Sequence, residues 1–275
     1  MTTVALFGAG GKMGVRLSRN LAKSDFDVRH IEVDPKGQER LKDAIGVDCV
    51  DQETGLDGAD VVILAVPDTV IGKVASLVVP KVAPGTIVVV LDAAAPFAGH
   101  LPERADITYF VTHPCHPPIF HNEETEAGRK DHFGGIAAQQ GVVNALMQGP
   151  QEHYEIGDKV ARAIYAPVAR TYQVTVEQMA YLEPGLSETV CASLLVVMRE
   201  AMDEVVKKGV PHDCARDFLL GHMNILGAVI FDEVDGVFSD ACNKAIEFGK
   251  PMLMRDDWKR VFDRDEIAAS IQRIT

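Results

Sequence analysis

The stretch that most restricts the fold of this chain is Gly8-Ala9-Gly10-Gly11-Lys12-Met13-Gly14. An apolar run, residues 4–7, precedes it, and residues 12–22 follow with Met13, Leu17 and Leu21 at helical spacing. A strand, a glycine turn and a helix in that order bring backbone N–H groups and a helix N-terminus to one point, where the pyrophosphate of a dinucleotide can bind. Glycine is expected there because a side chain would hold the phosphate away from the backbone. The motif departs from strict GxGxxG and reads as GxxGxxG through Gly8, Gly11 and Gly14. The alternative is a merely tight structural turn; the strand before the motif and the helix after it are the context a dinucleotide site requires.

More apolar runs follow at residues 28–33, 61–66, 86–91 and 107–111, ending at Asp34-Pro35, Pro67-Asp68, Asp92 and His113-Pro114. Val/Ile-rich runs, mostly separated by helical patterns, predict a parallel sheet buried on both faces. Residues 141–147 and 167–174 predict two further strands, with a helix starting near Gln151 between them. Beyond Thr175 the strand pattern stops and helices follow. The expected fold class is therefore α/β: a Rossmann-type doubly wound sheet over residues 1–174, then an all-α C-terminal domain over residues 175–275.

In such a sheet a carboxylate about twenty residues after the glycine turn takes the ribose 2′-hydroxyl of NAD. Glu32 and Asp34 stand there, with Glu32 preferred; Arg29 and Lys36 nearby leave NADP a rival cofactor. Val66, Pro67 and Asp68 end the next strand at the same edge, so the cofactor-binding set is Gly8, Gly10, Gly11, Lys12, Met13, Gly14, Glu32, Asp34, Val66, Pro67 and Asp68. Asp68 is equally a candidate N-cap for the following helix.

The run Thr112-His113-Pro114-Cys115-His116-Pro117-Pro118 follows directly on a strand, so His113 should project at the carboxyl edge beside the nicotinamide. Flanking prolines stiffen the loop, which suits a positioned group able to move a proton or ligate a metal. His116 is a second catalytic candidate, although either histidine could instead hydrogen-bond backbone in a proline turn. Residues 99–135 also hold His100, His121, His132 and the acidic run Glu123-Glu124-Thr125-Glu126, a long segment of the kind that is usually functional or mobile. Further on, Thr175 and Gln178 have capping-box spacing, and the helix they start meets Glu183-Pro184-Gly185. Such a break frees carbonyls and turns Glu183 out of the usual helix face, making it a candidate acid; the alternative is a helix bent around the core. His222, inside an apolar helix, is a candidate for the substrate site or an ordinary core histidine.

A net charge of -13 without a dense basic cluster argues against nucleic acid as a partner. No run nears the ~20 apolar residues of a spanning helix, so no membrane partner is expected. The five cysteines are scattered and lack CxxC pairing, as reduced thiols would be, and no export leader opens the chain. A cytoplasmic protein is expected.

GAGGKMG, the LAVP strand end and the later HP together resemble the prephenate-dehydrogenase branch of the 6-phosphogluconate-dehydrogenase-like group over most of residues 1–120. The longer pattern LDAAAPFAGHLPERADITYFVTHPCHPPIF, with ALMQGPQEHYEIG and EQMAYLEPGLSE, resembles the D-apionate oxidoisomerases and close relatives over nearly the whole chain. No lysine lies between Lys159 and Lys207, so the lysine chemistry of 6-phosphogluconate and 3-hydroxyisobutyrate dehydrogenases does not carry over. The resemblance implies NAD-dependent oxidation of a polyhydroxy acid, D-apionate, then hydroxymethyl migration to give 3-oxo-isoapionate. It also implies a homodimer joined through the helical domain. Such a migration resembles ketol-acid isomerisation, which a divalent cation assists. The expected metal ligands are His113 and Glu183, a pair that suits zinc or another transition ion. Two other readings are a simple NAD-dependent hydroxy-acid dehydrogenase with His113 as base, and a non-catalytic NAD-responsive regulator.

Overall fold

The protein is described by a computed structural model that covers residues 1–275. Seven strands form one sheet: β1 Thr3–Phe7, β2 Asp27–Ile31, β3 Val61–Leu64, β4 Ile87–Val90, β5 Thr108–Pro114, β6 Gln140–Gln148 and β7 Val168–Gln173, in the order β2-β1-β3-β4-β5-β6-β7. Strands β1 to β5 pair in parallel, as the continuous apolar runs predict. The last two depart from that pattern: β6 is antiparallel to β5 and β7 is parallel to β6.

The helices are α1 Lys12–Leu21, α2 Pro35–Ile45, α3 Gln52–Leu56, α4 Asp68–Val78, α5 Ala94–Phe97, α6 Glu126–Lys130, α7 Glu152–Ile164 and α8 Val176–Ala180. A π-helix, Tyr181–Ala192, leads into α9 Ser193–Lys207, α10 His212–Ile230, α11 Asp240–Leu253 and α12 Arg264–Ile274. Alternate residues of the parallel strands feed two apolar clusters, Ala5, Val62, Leu64, Val88 and Val90 on one face and Val4, Leu6, Val61, Ile63 and Val89 on the other. Both faces are thus covered, as a doubly wound sheet requires. The strand order reverses direction between β1 and β3, which puts the ligand crevice of such a sheet at the carboxyl ends of those two strands.

Two compact units result: Met1–Glu183 with Ala268–Thr275, and Pro184–Ile267. The division falls at Glu183/Pro184, later than the residue 174 expected from the end of the strand pattern. The reason is α8, whose Met179 is fully buried with Ala93, Val111, Val143 and Ala145. Burying one such side chain contributes about 1.5–3 kcal/mol, so this first turn of the helical region stays with the sheet. Thr175 caps α8 through the expected capping box with Gln178. No break follows: from Tyr181 the chain runs on as the π-helix, with Pro184 inside it, and this wider turn accommodates the missing N–H of proline. Thr189 Oγ1 donates to the Pro184 carbonyl at 2.6 Å, satisfying one of the acceptors the widening exposes. No helix is long and apolar enough to cross a membrane.

Candidate active site

The glycine turn lies where β1 hands over to α1, and the structure revises the reason for its glycines. A side chain on Gly8, at φ 72°, would meet the Ala65 carbonyl oxygen at 2.4 Å, and one on Gly14 would meet the Gly8 carbonyl oxygen at 2.0 Å. Those positions need glycine so that backbone can approach backbone, before any phosphate arrives. Gly11 has only Gly8 O near, at 3.3 Å, and heads α1 as its N-cap with Lys12 and Met13 in the first turn. Gly10 N–H donates to Glu32 Oε2 at 3.0 Å, while Asp34 N–H donates to Glu32 Oε1 at 2.9 Å. Both oxygens of Glu32 are thereby fixed, with lone pairs to spare for a diol. Asp34 serves the local fold: its side chain accepts from Lys36 N–H at 3.2 Å and caps α2. At the end of β3, Val66 abuts Gly8, Pro67 is the N-cap of α4 and Asp68 is its first residue rather than its cap.

His113 occupies the carboxyl end of β5, as expected. Its Nδ1 lies 3.0 Å from the Leu91 carbonyl oxygen, an acceptor only, so Nδ1 carries a proton and donates it there. Nε2 is then a lone pair in the neutral ring, yet it is buried without a hydrogen-bond partner and lies 3.4 Å from Glu183 Oε2. Asp92, at the end of neighbouring β4, brings Oδ2 to 3.5 Å from Nδ1. One ligand atom each from Asp92, His113 and Glu183 lies within 4.8 Å of the others. Two carboxylates and an imidazole lone pair converging in a half-buried site repel one another unless a proton or cation sits among them. A ligating histidine that donates its other N–H to a backbone carbonyl is the arrangement metal sites use to fix the ring. The residues present therefore fit a divalent cation.

Asp68 stands close enough to feel this cluster. Partial desolvation, then the neighbouring Asp92, push its carboxyl above the ordinary range, with His113 opposing and Glu183 adding to the rise. His116 lies beside the cluster, its ring centroid 6.1 Å from that of His113. It adopts φ 60°, left-handed backbone that a non-glycine residue takes only when held, and its Nδ1 is 2.8 Å from the Phe133 carbonyl oxygen. Phe133 in turn lies under the Arg16 guanidinium of α1, 4.0 Å above its ring. His222 sits in α10 of the helical unit, with Nδ1 2.7 Å from the Phe218 carbonyl oxygen and its ring stacked on Phe218.

Sequence reasoning missed Asp92. Its signal was its place, directly after the apolar run of β4 at the same sheet edge as Asp68 and His113, and Ala94 N–H now donates to its Oδ1 at 2.6 Å.

A glycine-turn crevice at the switch point of a doubly wound sheet, with titratable groups clustered at the same edge, defines a dinucleotide-dependent oxidoreductase. Residues 3–96 match the family model described as NADP oxidoreductase, coenzyme F420-dependent, and residues 121–275 match the phosphogluconate dehydrogenase (decarboxylating) C-terminal family. A D-apionate oxidoisomerase from Rhizobium rhizogenes is 70% identical over 100% of both chains, and one from Cupriavidus necator is 67% identical over 99% of both. The chain belongs to the D-apionate oxidoisomerase family. The crystal structure of a semialdehyde dehydrogenase NAD-binding protein from Cupriavidus necator, in complex with calcium and NAD, superposes with a TM-score of 0.99 at 66% identity, covering 100% of both chains.

Proposed function

We propose that the protein is an NAD-dependent oxidoisomerase that converts D-apionate to 3-oxo-isoapionate. The observation that carries this reading is the His113 Nε2 lone pair aimed at Glu183, with Asp92 alongside, at the edge where the nicotinamide end of a dinucleotide would lie. The hydride leaves the carbon bearing the secondary hydroxyl beside the carboxylate and goes to NAD, and the hydroxyl proton goes to a base. The hydroxymethyl group then migrates with its bonding pair from the tertiary carbon to the new ketone carbon; the tertiary hydroxyl gives up its proton and becomes the product ketone, while the first ketone oxygen takes a proton and becomes the new tertiary hydroxyl.

Glu32 favours NAD over NADP, because a carboxylate already fixed by two backbone amides would repel a 2′-phosphate. Asp92, His113 and Glu183 would hold a divalent cation, which would supply Lewis-acid polarisation of the ketone and of the adjacent alcohol. Adding Asp92 to the expected His/Glu pair makes the set oxygen-rich, open to magnesium, manganese or calcium as well as zinc. His116, its Nδ1 committed to the Phe133 carbonyl, offers Nε2 as the base for the hydroxyl proton. The test is incubation with NAD and D-apionate, with and without a strong chelator, following NADH and identifying the carbon skeleton by NMR. A rearranged skeleton that requires metal is expected; NADH with an unrearranged acid would make the protein a simple dehydrogenase.

The helical unit is proposed as the homodimer surface. Phe218, Ile230, Phe248, Met252 and Leu253 are large, apolar and more than half exposed, and α11 buries no residue at all. Val190, Leu194, Ile246, Leu253 and Trp258 line a groove of about 650 Å³ in the same unit. Apolar area on this scale marks an interface. Light scattering should give twice the chain mass, and a monomer at micromolar concentration would refute the proposal.

A further inference from the structure

The loop between β5 and β6 is held from two sides. Asp131 gathers its N–H groups, since the amides of Gly134, Ile136, Ala137 and Ala138 all donate to that one carboxylate. Helix α1 takes its carbonyls: Arg16 Nη1 donates to the Gly134 carbonyl at 3.2 Å and Asn20 Nδ2 to the Gly135 carbonyl at 3.1 Å. Residues four apart lie one above the other on a helix, so a single face of α1 grips two successive carbonyls of the loop. Asn20 also donates to the Ile164 and Ala166 carbonyls at the end of α7, which makes it a joint of the fold. The guanidinium of half-buried Arg16 instead stays with the loop, its carbon 4.0 Å from the centre of the Phe133 ring.

Phe133 carries that grip to His116 through two groups. Its carbonyl accepts from His116 Nδ1 at 2.8 Å, and its ring packs on the imidazole with centroids 4.9 Å apart and planes inclined at 58°. A carbonyl only accepts, so Nδ1 holds the proton and Nε2 of the neutral ring keeps the lone pair a base needs. The same imidazole meets that of His113 edge-on, 6.1 Å between centroids. Left-handed backbone at a non-glycine residue, here φ 60°, persists only where the surroundings over-determine it. For His116 those surroundings include Phe133, and behind Phe133 stands Arg16.

We propose that Arg16 is a positioning residue for His116, holding that base through Phe133 at a fixed place relative to α1, the helix headed by the glycine turn. The inference rests on the reading of His116 as the base of the oxidation. Arg16 touches no reacting atom. Its part is geometric: a base hung from the helix that receives the dinucleotide keeps its distance to the hydroxyl being oxidised, and a misplacement of about 1 Å at such a group costs up to about a hundredfold in rate.

The test measures kcat and KM for D-apionate, and Kd for NAD, in wild type, Arg16→Met, Arg16→Lys, His116→Ala and the double variant Arg16→Met/His116→Ala. Methionine keeps the unbranched stem and the helix propensity but has neither charge nor donor. Arg16→Met should lower kcat roughly tenfold to a hundredfold while KM and the Kd for NAD stay within about twofold. Arg16→Lys, which retains a cation over the ring, should fall between, and it reads the same effect should Arg16→Met not fold. In the His116→Ala background Arg16→Met should cost nothing further, because the group it positions is gone. Wild-type kcat in Arg16→Met, or a further loss of the same size in the double variant, would overturn the positioning role and leave the base reading standing. Weaker NAD binding with kcat restored at saturation would overturn it too, by making Arg16 a cofactor ligand. His116→Ala at wild-type kcat would overturn the base reading, and no NADH from wild type with D-apionate would overturn the oxidoisomerase reading; the positioning role falls with either.

Discussion

Two parts of the same sheet edge treat charge in opposite ways. At the dinucleotide end, Glu32 is a finished piece of structure, each oxygen accepting a backbone N–H. At the other end, His113 Nε2 lies 3.4 Å from Glu183 Oε2, buried without a hydrogen-bond partner. The first region is preorganised in the absence of a ligand, because the turn's own backbone makes it. The second brings two carboxylates and an imidazole together, which repel one another unless a proton or a cation sits among them. On the proposed roles of these residues, binding and chemistry are separable along one edge, and each should be open to disturbance without the other.

The most severe separation is Glu183→Gln. It removes one converging carboxylate and keeps the side chain's shape, so turnover should fall about a thousandfold or more, by the weight such acid, base and ligand groups carry. The Kd for NAD should stay within about twofold by fluorescence titration. A parallel loss of NAD affinity would mean the two regions are one.

Next in size is Asp131→Ala. This buried carboxylate accepts N–H bonds from Gly134, Ile136, Ala137 and Ala138, shaping the loop whose Phe133 carbonyl holds His116. Stranding four donors should lower stability by about 3 kcal/mol, read by urea denaturation. Desolvation alone would raise the Asp131 pKa, but the four amides together outweigh it and hold the group below the usual carboxylate range. The unfolded chain therefore takes up that proton first, so the contribution is whole above about pH 4 and fades as pH falls through the lower folded value. The stability gap between wild type and Asp131→Ala should close in acid.

The smallest effect is the converse disturbance, Glu32→Ala. NAD affinity should drop roughly tenfold to a hundredfold, and the preference for NAD over NADP should narrow. Turnover at saturating NAD should change little. A collapse of turnover there would place Glu32 in the chemistry.

Much of this contrast was legible in the chain. The glycine turn and Glu32 lie within one strand-turn-helix-strand unit, where local spacing alone sets position. His113 was legible because a strand ends beside it. Asp92 was not, because its nearness to His113 depends on the β4–β5 register, Val90 opposite Val111, a long-range pairing that no local pattern encodes. Glu183 drew notice through Pro184, but the mechanism differs: the helix widens into π geometry and does not break. The boundary moved for a similar reason, since the burial of Met179 against β5 and β6 is a tertiary fact.

The central claim is that Asp92, His113 and Glu183 await a cation. The direct measurement is titration of chelator-treated protein, saturated with NAD, with Mn²⁺ followed by electron paramagnetic resonance. One Mn²⁺ per chain bound by wild type, and none by His113→Ala at the same concentrations, is the predicted result. Equal binding by both proteins, or no binding by wild type, would contradict it.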